Sequence, residues 1–174
     1  PTATRDIVNY ISPLLIGKDP FDTEKIWELM FGAMMNRGHY QGFYIEAISG
    51  IDCALWDIKG KALNVPVYKL LGASGRPSFL AYASSIRFRG LEVVKETAKK
   101  FKDAGFRSMK IKIGQVPEND MATVRAVREV VGDDIELTSD ANCGYDVKTA
   151  LRVGKVLEEC NVRWFEEPVR PDDY

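Results

Sequence analysis

The sequence predicts an α/β fold, a series of strand–helix units of the (β/α) TIM-type barrel kind with its first four strands present, after an all-helical stretch. Three observations lead there. From about residue 79, short apolar or β-branched runs alternate with amphipathic segments. Polar clusters close successive strands at a steady interval, Lys112 to Asp140 spanning 28 positions and Asp140 to Glu166 spanning 26. No GxGxxG follows any strand, so a dinucleotide-binding sheet loses support and a barrel gains it.

The elements follow in order. Residues 1 to about 72 read as helical. "DPFDTEKIWELMFGAMM" offers Asp22 or Thr23 as an N-cap, then Ile26, Met30, Ala33 and Met34 at helical spacing. "FYIEAISGIDCALWDIKGKAL" reads as a long, largely buried helix that Asn64 and Pro66 stop. The turn-rich "YKLLGASGRP" marks a boundary, dividing the chain into residues 1–75 and 76–174. Beyond it, "FLAYASS", "SMKIKIG", "IELTSDANCG" and "VRWFEEP" are the four strands. "LEVVKETAKKFKDAG", "ENDMATVRAVREVVG" and "DVKTALRVGKVLEEC" are the intervening helices. A closed barrel has eight strands, and four would leave two open edges, so the chain is expected to be part of a longer protein.

Composition narrows the function. The 174 residues are 45% hydrophobic and 28% charged, with a formal net charge of -1. That balance gives no electrostatic reason to expect nucleic acid or an anionic membrane as partner. No apolar run approaches the roughly 20 residues needed to span a bilayer. The three cysteines lack CxxC spacing and suit a reducing compartment, so the protein is expected to be cytoplasmic. A single histidine, His39, argues against a His-rich zinc site and a Ser-His-Asp triad. Any metal is expected to be held by oxygen.

The chemistry-bearing residues all come late in their strands, as a site at a barrel mouth requires. Side chains alternate along a strand, so Lys110 and Lys112 share one face of "SMKIKIG", opposite Met109, Ile111 and Ile113. Asp140 pairs in the same way with Asn142, and Glu166 with Trp164. Two inward carboxylates on adjacent strands repel unless a cation lies between them, and oxygen ligands favour Mg²⁺ over zinc. Mutual repulsion of the two ammonium groups and a nearby dication are expected to lower a lysine's pKa and prepare it as a base. Taken singly, KxK is a solvated edge, DAN a turn or cap, and EEP a helix start. One at each consecutive strand end points instead to a metal-assisted site.

KxK, DAN and EEP on three successive strands, with "EAISGIDCALWDIKGKALNVPVYKLLG" ahead of them, resemble the enolase superfamily, in its mandelate racemase and muconate lactonizing enzyme-like subgroup. The resemblance implies an α+β capping domain, whose C-terminal helical part is residues 1–75, and the first half of a modified (β/α)8 barrel at residues 76–174. It implies Mg²⁺ as cofactor, with Asp140 and Glu166 as metal ligands and a third on the next strand. Lys112 becomes the acid/base, Lys110 its partner and a contact to the substrate carboxylate, and Asn142 a substrate-binding residue. Glu167 is assigned to the surrounding shell. The implied partner is a small-molecule carboxylate, a sugar acid, and the implied assembly a homo-oligomer.

The expected reaction removes the proton α to that carboxylate through an enediolate. Acid-sugar dehydration leads, because a β-hydroxyl leaving group stands beside the α-carbon. Racemisation or lactone cycloisomerisation is the alternative, and a catalytically incomplete or structural piece the second. A Schiff-base lyase is a further reading of the lysines, but it leaves the acidic residues on the next two strands unexplained.

Overall fold

A computed structural model describes residues 2–73, 75 and 78–172. The chain forms two compact units, Pro1–Pro77 and Ser78–Tyr174. The first is helical: α1 (Thr2–Leu15), α2 (Thr23–Met35), α3 (Phe43–Leu63) and the single turn α4 (Val67–Leu70). Its core is Ile11, Ile26, Met30, Tyr44 and Ile48, and the Tyr44 hydroxyl donates to the Met30 carbonyl at 2.7 Å. Asp22 takes the N-cap position of α2 but makes no side-chain capping bond. Asn64 ends α3 in the left-handed conformation, its N–H reaching back to the Gly60 and Lys61 carbonyls. The sequence overstates the burial of α3. Only Tyr44, Ala47, Ile48 and Gly60 are buried, and Ile58 and Leu63 are exposed, since α1, α2 and α4 cover one side of a 21-residue cylinder. No described helix is long and apolar enough to cross a membrane.

The second unit alternates β1 (Ala83–Arg87), α5 (Leu91–Asp103), β2 (Ser108–Lys112), α6 (Pro117–Val131), β3 (Glu136–Asp140), α7 (Val147–Glu159) and β4 (Val162–Glu166). All strand pairs are parallel and the order is β1-β2-β3-β4. Sequential order with a helix between each pair of parallel strands is the βα succession of an α/β barrel wall. β1 begins later than the sequence implies. Its ladder starts with Ala83 opposite Met109, and Phe79 and Leu80 precede it fully exposed.

One face of the sheet is apolar. Met109, Ile111, Ile113, Leu137 and Ala141 pack with Val94, Ala98, Val124, Val127, Val153 and Leu157 of the three helices. Helix ends follow their residues: Pro117 opens α6, and Asp146 caps α7 by accepting from the Thr149 N–H at 2.7 Å. The Arg128 guanidinium donates to the carbonyls of Gly132, Ile135, Cys160 and Asn161. One side chain therefore ties the entries to β3 and β4 to the end of α6, which helps fix how far each strand runs toward the site.

Candidate active site

The other face of the sheet carries the polar residues. Register puts Arg87, Lys112, Asp140 and Glu166 in one row across the four strands, each the Cα partner of the next. Partners in a parallel ladder present their side chains to the same face, so the row forms from backbone pairing alone. Lys110 lies one layer below, opposite Thr138.

The lysines do not meet each other as a bare cationic pair. Lys110 Nζ lies 3.2 and 3.1 Å from the two Glu166 carboxylate oxygens and 3.4 Å from Asp140 Oδ2. Lys112 Nζ lies 2.5 Å from the same Asp140 oxygen and 3.0 Å from Asn142 Oδ1. Asn142 Nδ2 donates in turn to Glu167 Oε2 at 3.3 Å. All six residues singled out in the sequence therefore form one continuous network. Its three carboxylates and two ammonium groups leave it one negative charge in excess.

Carboxylate neighbours hold the Lys110 pKa above the ordinary lysine range. Hydrogen bonding to Glu166 raises it, against burial, with Asp140 adding to the rise. The nearest charges are carboxylates rather than the other ammonium, so the charged form is favoured. Asp140 is nearly buried, and burial pushes its carboxyl up. The bonds from Lys112, the Asn142 N–H and Lys110 outweigh this and hold it below the ordinary aspartate range.

Sharp turns shape the strand ends. Asn142 and Cys143 are both left-handed, at φ 46° and 61°, and the Asn142 N–H folds back onto Asp140 Oδ1 at 3.0 Å. Gly114 follows β2 at φ +97°, and a Cβ there would lie 2.0 Å from the Ala141 carbonyl oxygen. The loops after β2 and β3 thus touch backbone to backbone, which brings Lys112 and Asn142 together.

Three features escaped the sequence reading. Arg87 extends the row onto β1, where strand parity places it once the end of β1 is known. The Tyr82 ring lies 5.6 Å from Lys110 Nζ. Asp120, in the first turn of α6, uses one oxygen to accept from the Gly114 N–H at 3.1 Å, the Gln115 N–H at 3.0 Å and the Tyr145 hydroxyl at 2.7 Å. It clamps the loops after β2 and β3. No local pattern marks it, because its partners come from two loops, one of them 25 residues away.

The donor set fits a hard dication. Carboxylates of Asp140 and Glu166 converge on a single cation, the Lys110 ammonium, and oxygen is the ligand Mg²⁺ prefers. Among the described residues no group of three or more His, Cys, Asp or Glu side chains converges in this way.

A parallel βα sheet with lysines on its second strand and acidic residues on its third and fourth defines an α/β protein with a charged site at its strand ends, the arrangement whose motifs resemble the enolase superfamily. The comparisons agree. Residues 2–72 match the mandelate racemase / muconate lactonizing enzyme N-terminal domain and residues 92–174 the enolase C-terminal domain-like family. The chain belongs to the enolase superfamily, in its mandelate racemase and muconate lactonizing enzyme-like branch.

A D-galactarolactone cycloisomerase of Agrobacterium fabrum is 41% identical over 170 residues, covering 95% of this chain and 45% of the relative. An arabinonate dehydratase of Saccharolobus solfataricus is 37% identical over 169 residues, covering 95% and 45%. Among solved structures, a 3,6-anhydro-D-galactonate cycloisomerase from Zobellia galactanivorans superposes with a TM-score of 0.93 at 36% identity, over 99% of this chain and 48% of that one. A racemase from Streptomyces coelicolor with bound magnesium gives 0.90 at 34%, over 99% and 48%. The chain spans a little under half the length of these relatives.

Proposed function

We propose that this chain supplies the base and two metal ligands of a Mg²⁺-dependent enzyme that removes the proton α to the carboxylate of a sugar acid, with dehydration as the leading outcome. The observation that carries the reading is the network at the strand ends, where Lys112 bonds the same Asp140 carboxylate that, with Glu166, converges on a single cation.

In this reading Asp140 and Glu166 hold Mg²⁺. Bound there, the ion would stabilise the second negative charge that a carboxylate acquires on losing its α-proton. Lys112 Nζ, released from Asp140 and neutral once its extra proton has passed to solvent, accepts the α-proton, and the electron pair of the broken C–H bond moves into the substrate carboxylate. Lys110, one layer below, holds a carboxylate oxygen and orients the α-carbon. Asn142 keeps its amide on Lys112 or turns it to a substrate hydroxyl, and Glu167 fixes that amide. The enediolate electron pair then forms the Cα–Cβ double bond as the β-hydroxyl, protonated by the Lys112 ammonium or by solvent, leaves as water, which completes dehydration. The same first step opens cycloisomerisation, the reaction named for the Agrobacterium relative.

The test is solvent deuterium exchange at the α-carbon of sugar acids by the native full-length protein with Mg²⁺. Exchange should be abolished by chelation, restored by Mg²⁺, and lost in Lys112→Ala with calorimetric Mg²⁺ binding retained. Exchange that survives in Lys112→Ala refutes Lys112 as the base.

A further inference from the structure

Arg87 ends β1 in the row that continues through Lys112, Asp140 and Glu166. Together with Arg89, Lys112, Gln115 and Asn142 it lines a cleft of about 310 Å³ beside the network. Among the described residues neither guanidinium donates to a carboxylate or carbonyl group. The cleft has one carboxylate in its lining, Asp120, and that oxygen already accepts three hydrogen bonds. The network is negative at the Glu166 end, whereas the cleft is positive at the Arg87 end. A ligand lying along the row therefore meets a cation at both extremes: the metal expected at Asp140 and Glu166, and the guanidinium groups at β1.

Strand spacing sets the ligand's length. Adjacent strands lie about 4.8 Å apart, so β1 and β3 are separated by roughly 10 Å. An arginine reaching inward shortens that span, and the terminal carbons of a six-carbon acid are about 6 Å apart at C–C bonds of about 1.5 Å. A planar guanidinium fork matches a carboxylate with two parallel N–H···O bonds, which a hydroxymethyl terminus cannot reproduce.

We propose that this cleft receives the far carboxylate of a dicarboxylic sugar acid, which makes Arg87, supported by Arg89, a specificity-determining residue. The inference rests on the proton-abstraction reading above and narrows its substrates from sugar acids in general to diacids.

The experiment uses the native full-length protein loaded with Mg²⁺ and measures kcat/KM for α-deuterium exchange. Its substrates are a six-carbon aldarate and the aldonate of the same configuration at the carbons nearest the reacting carboxylate. The wild type should prefer the diacid. Arg87→Met should cut the diacid-to-monoacid ratio roughly ten- to hundredfold, chiefly through KM for the diacid. Arg87→Lys should recover part of it, keeping the charge without the fork. Arg152→Met, on the outer surface of α7, should keep the wild-type ratio. A ratio unchanged in Arg87→Met, with exchange continuing on both acids, overturns this inference and leaves the reaction standing. Exchange on neither acid overturns the reaction itself and this inference with it.

Discussion

Asp120→Ala tests how the fold holds Lys112, the proposed base, in place. The carboxylate is buried, and one of its oxygens accepts from the Gly114 N–H, the Gln115 N–H and the Tyr145 hydroxyl at 3.1, 3.0 and 2.7 Å. Bonds to a charged acceptor contribute about 1.5–3 kcal/mol each, and three that share one oxygen do not add in full. Asp120 also borders the Arg87 cleft, so water can replace part of what is lost. The expected cost is about 3 kcal/mol, a fall in Tm of roughly 6–12 °C for a chain of this size. Chemical denaturation at neutral pH measures it. Because Gly114 lies two residues beyond Lys112, the folded variant should also exchange the substrate α-proton at least tenfold more slowly, a displacement of about 1 Å being worth up to 10²-fold. Mg²⁺ affinity should change far less, since Asp140 is anchored separately by the Asn142 N–H. A loss of stability below about 1 kcal/mol would refute the clamp. A stability loss with unaltered exchange would make Asp120 structural only.

Three other outcomes are expected. Gly114→Ala should fail to fold or lose most of its stability, because φ is +97° and the new Cβ would stand 2.0 Å from the Ala141 carbonyl oxygen, which circular dichroism and solubility will show. Lys110→Met should lower stability by about 1–3 kcal/mol without metal, since Asp140 and Glu166 lose the ammonium between them, and Mg²⁺ should raise its Tm more than the wild type's. The hydrogen bond from Arg163 holds the Glu136 carboxyl below the ordinary glutamate range, with Ser108 assisting against burial. A depressed carboxyl stabilises the fold above its unfolded pKa of about 4.3 and loses that contribution as pH falls through the lower folded value. Arg163→Gln should therefore narrow the difference in urea midpoint between pH 5 and pH 3. Arg163 is exposed and Glu136 partly so, so the change is small, and an identical difference in both proteins would count against the pair.

What the sequence determined alone is what local rules govern. Period-two alternation in "SMKIKIG" put Lys110 and Lys112 on one face and Met109, Ile111 and Ile113 on the other, and the packed core has that arrangement. Asn64 stopped α3 because a residue that tolerates the left-handed conformation followed a helical run. The even spacing of KxK, DAN and EEP implied one polar cluster per strand end, since each βα unit consumes a similar length of chain. Local rules failed at β1, where Phe79 and Leu80 look like strand residues but lie outside the ladder. Tertiary structure decided the partners. Lys110 bonds Glu166 from 56 positions away, which stabilises its ammonium, and Arg87 joins the row only because Arg87 and Lys112 share a register. The physical reason is one of range. Side-chain direction is set by the backbone within a few residues, whereas the field at an ionisable group is set by whatever the fold brings within about 4 Å.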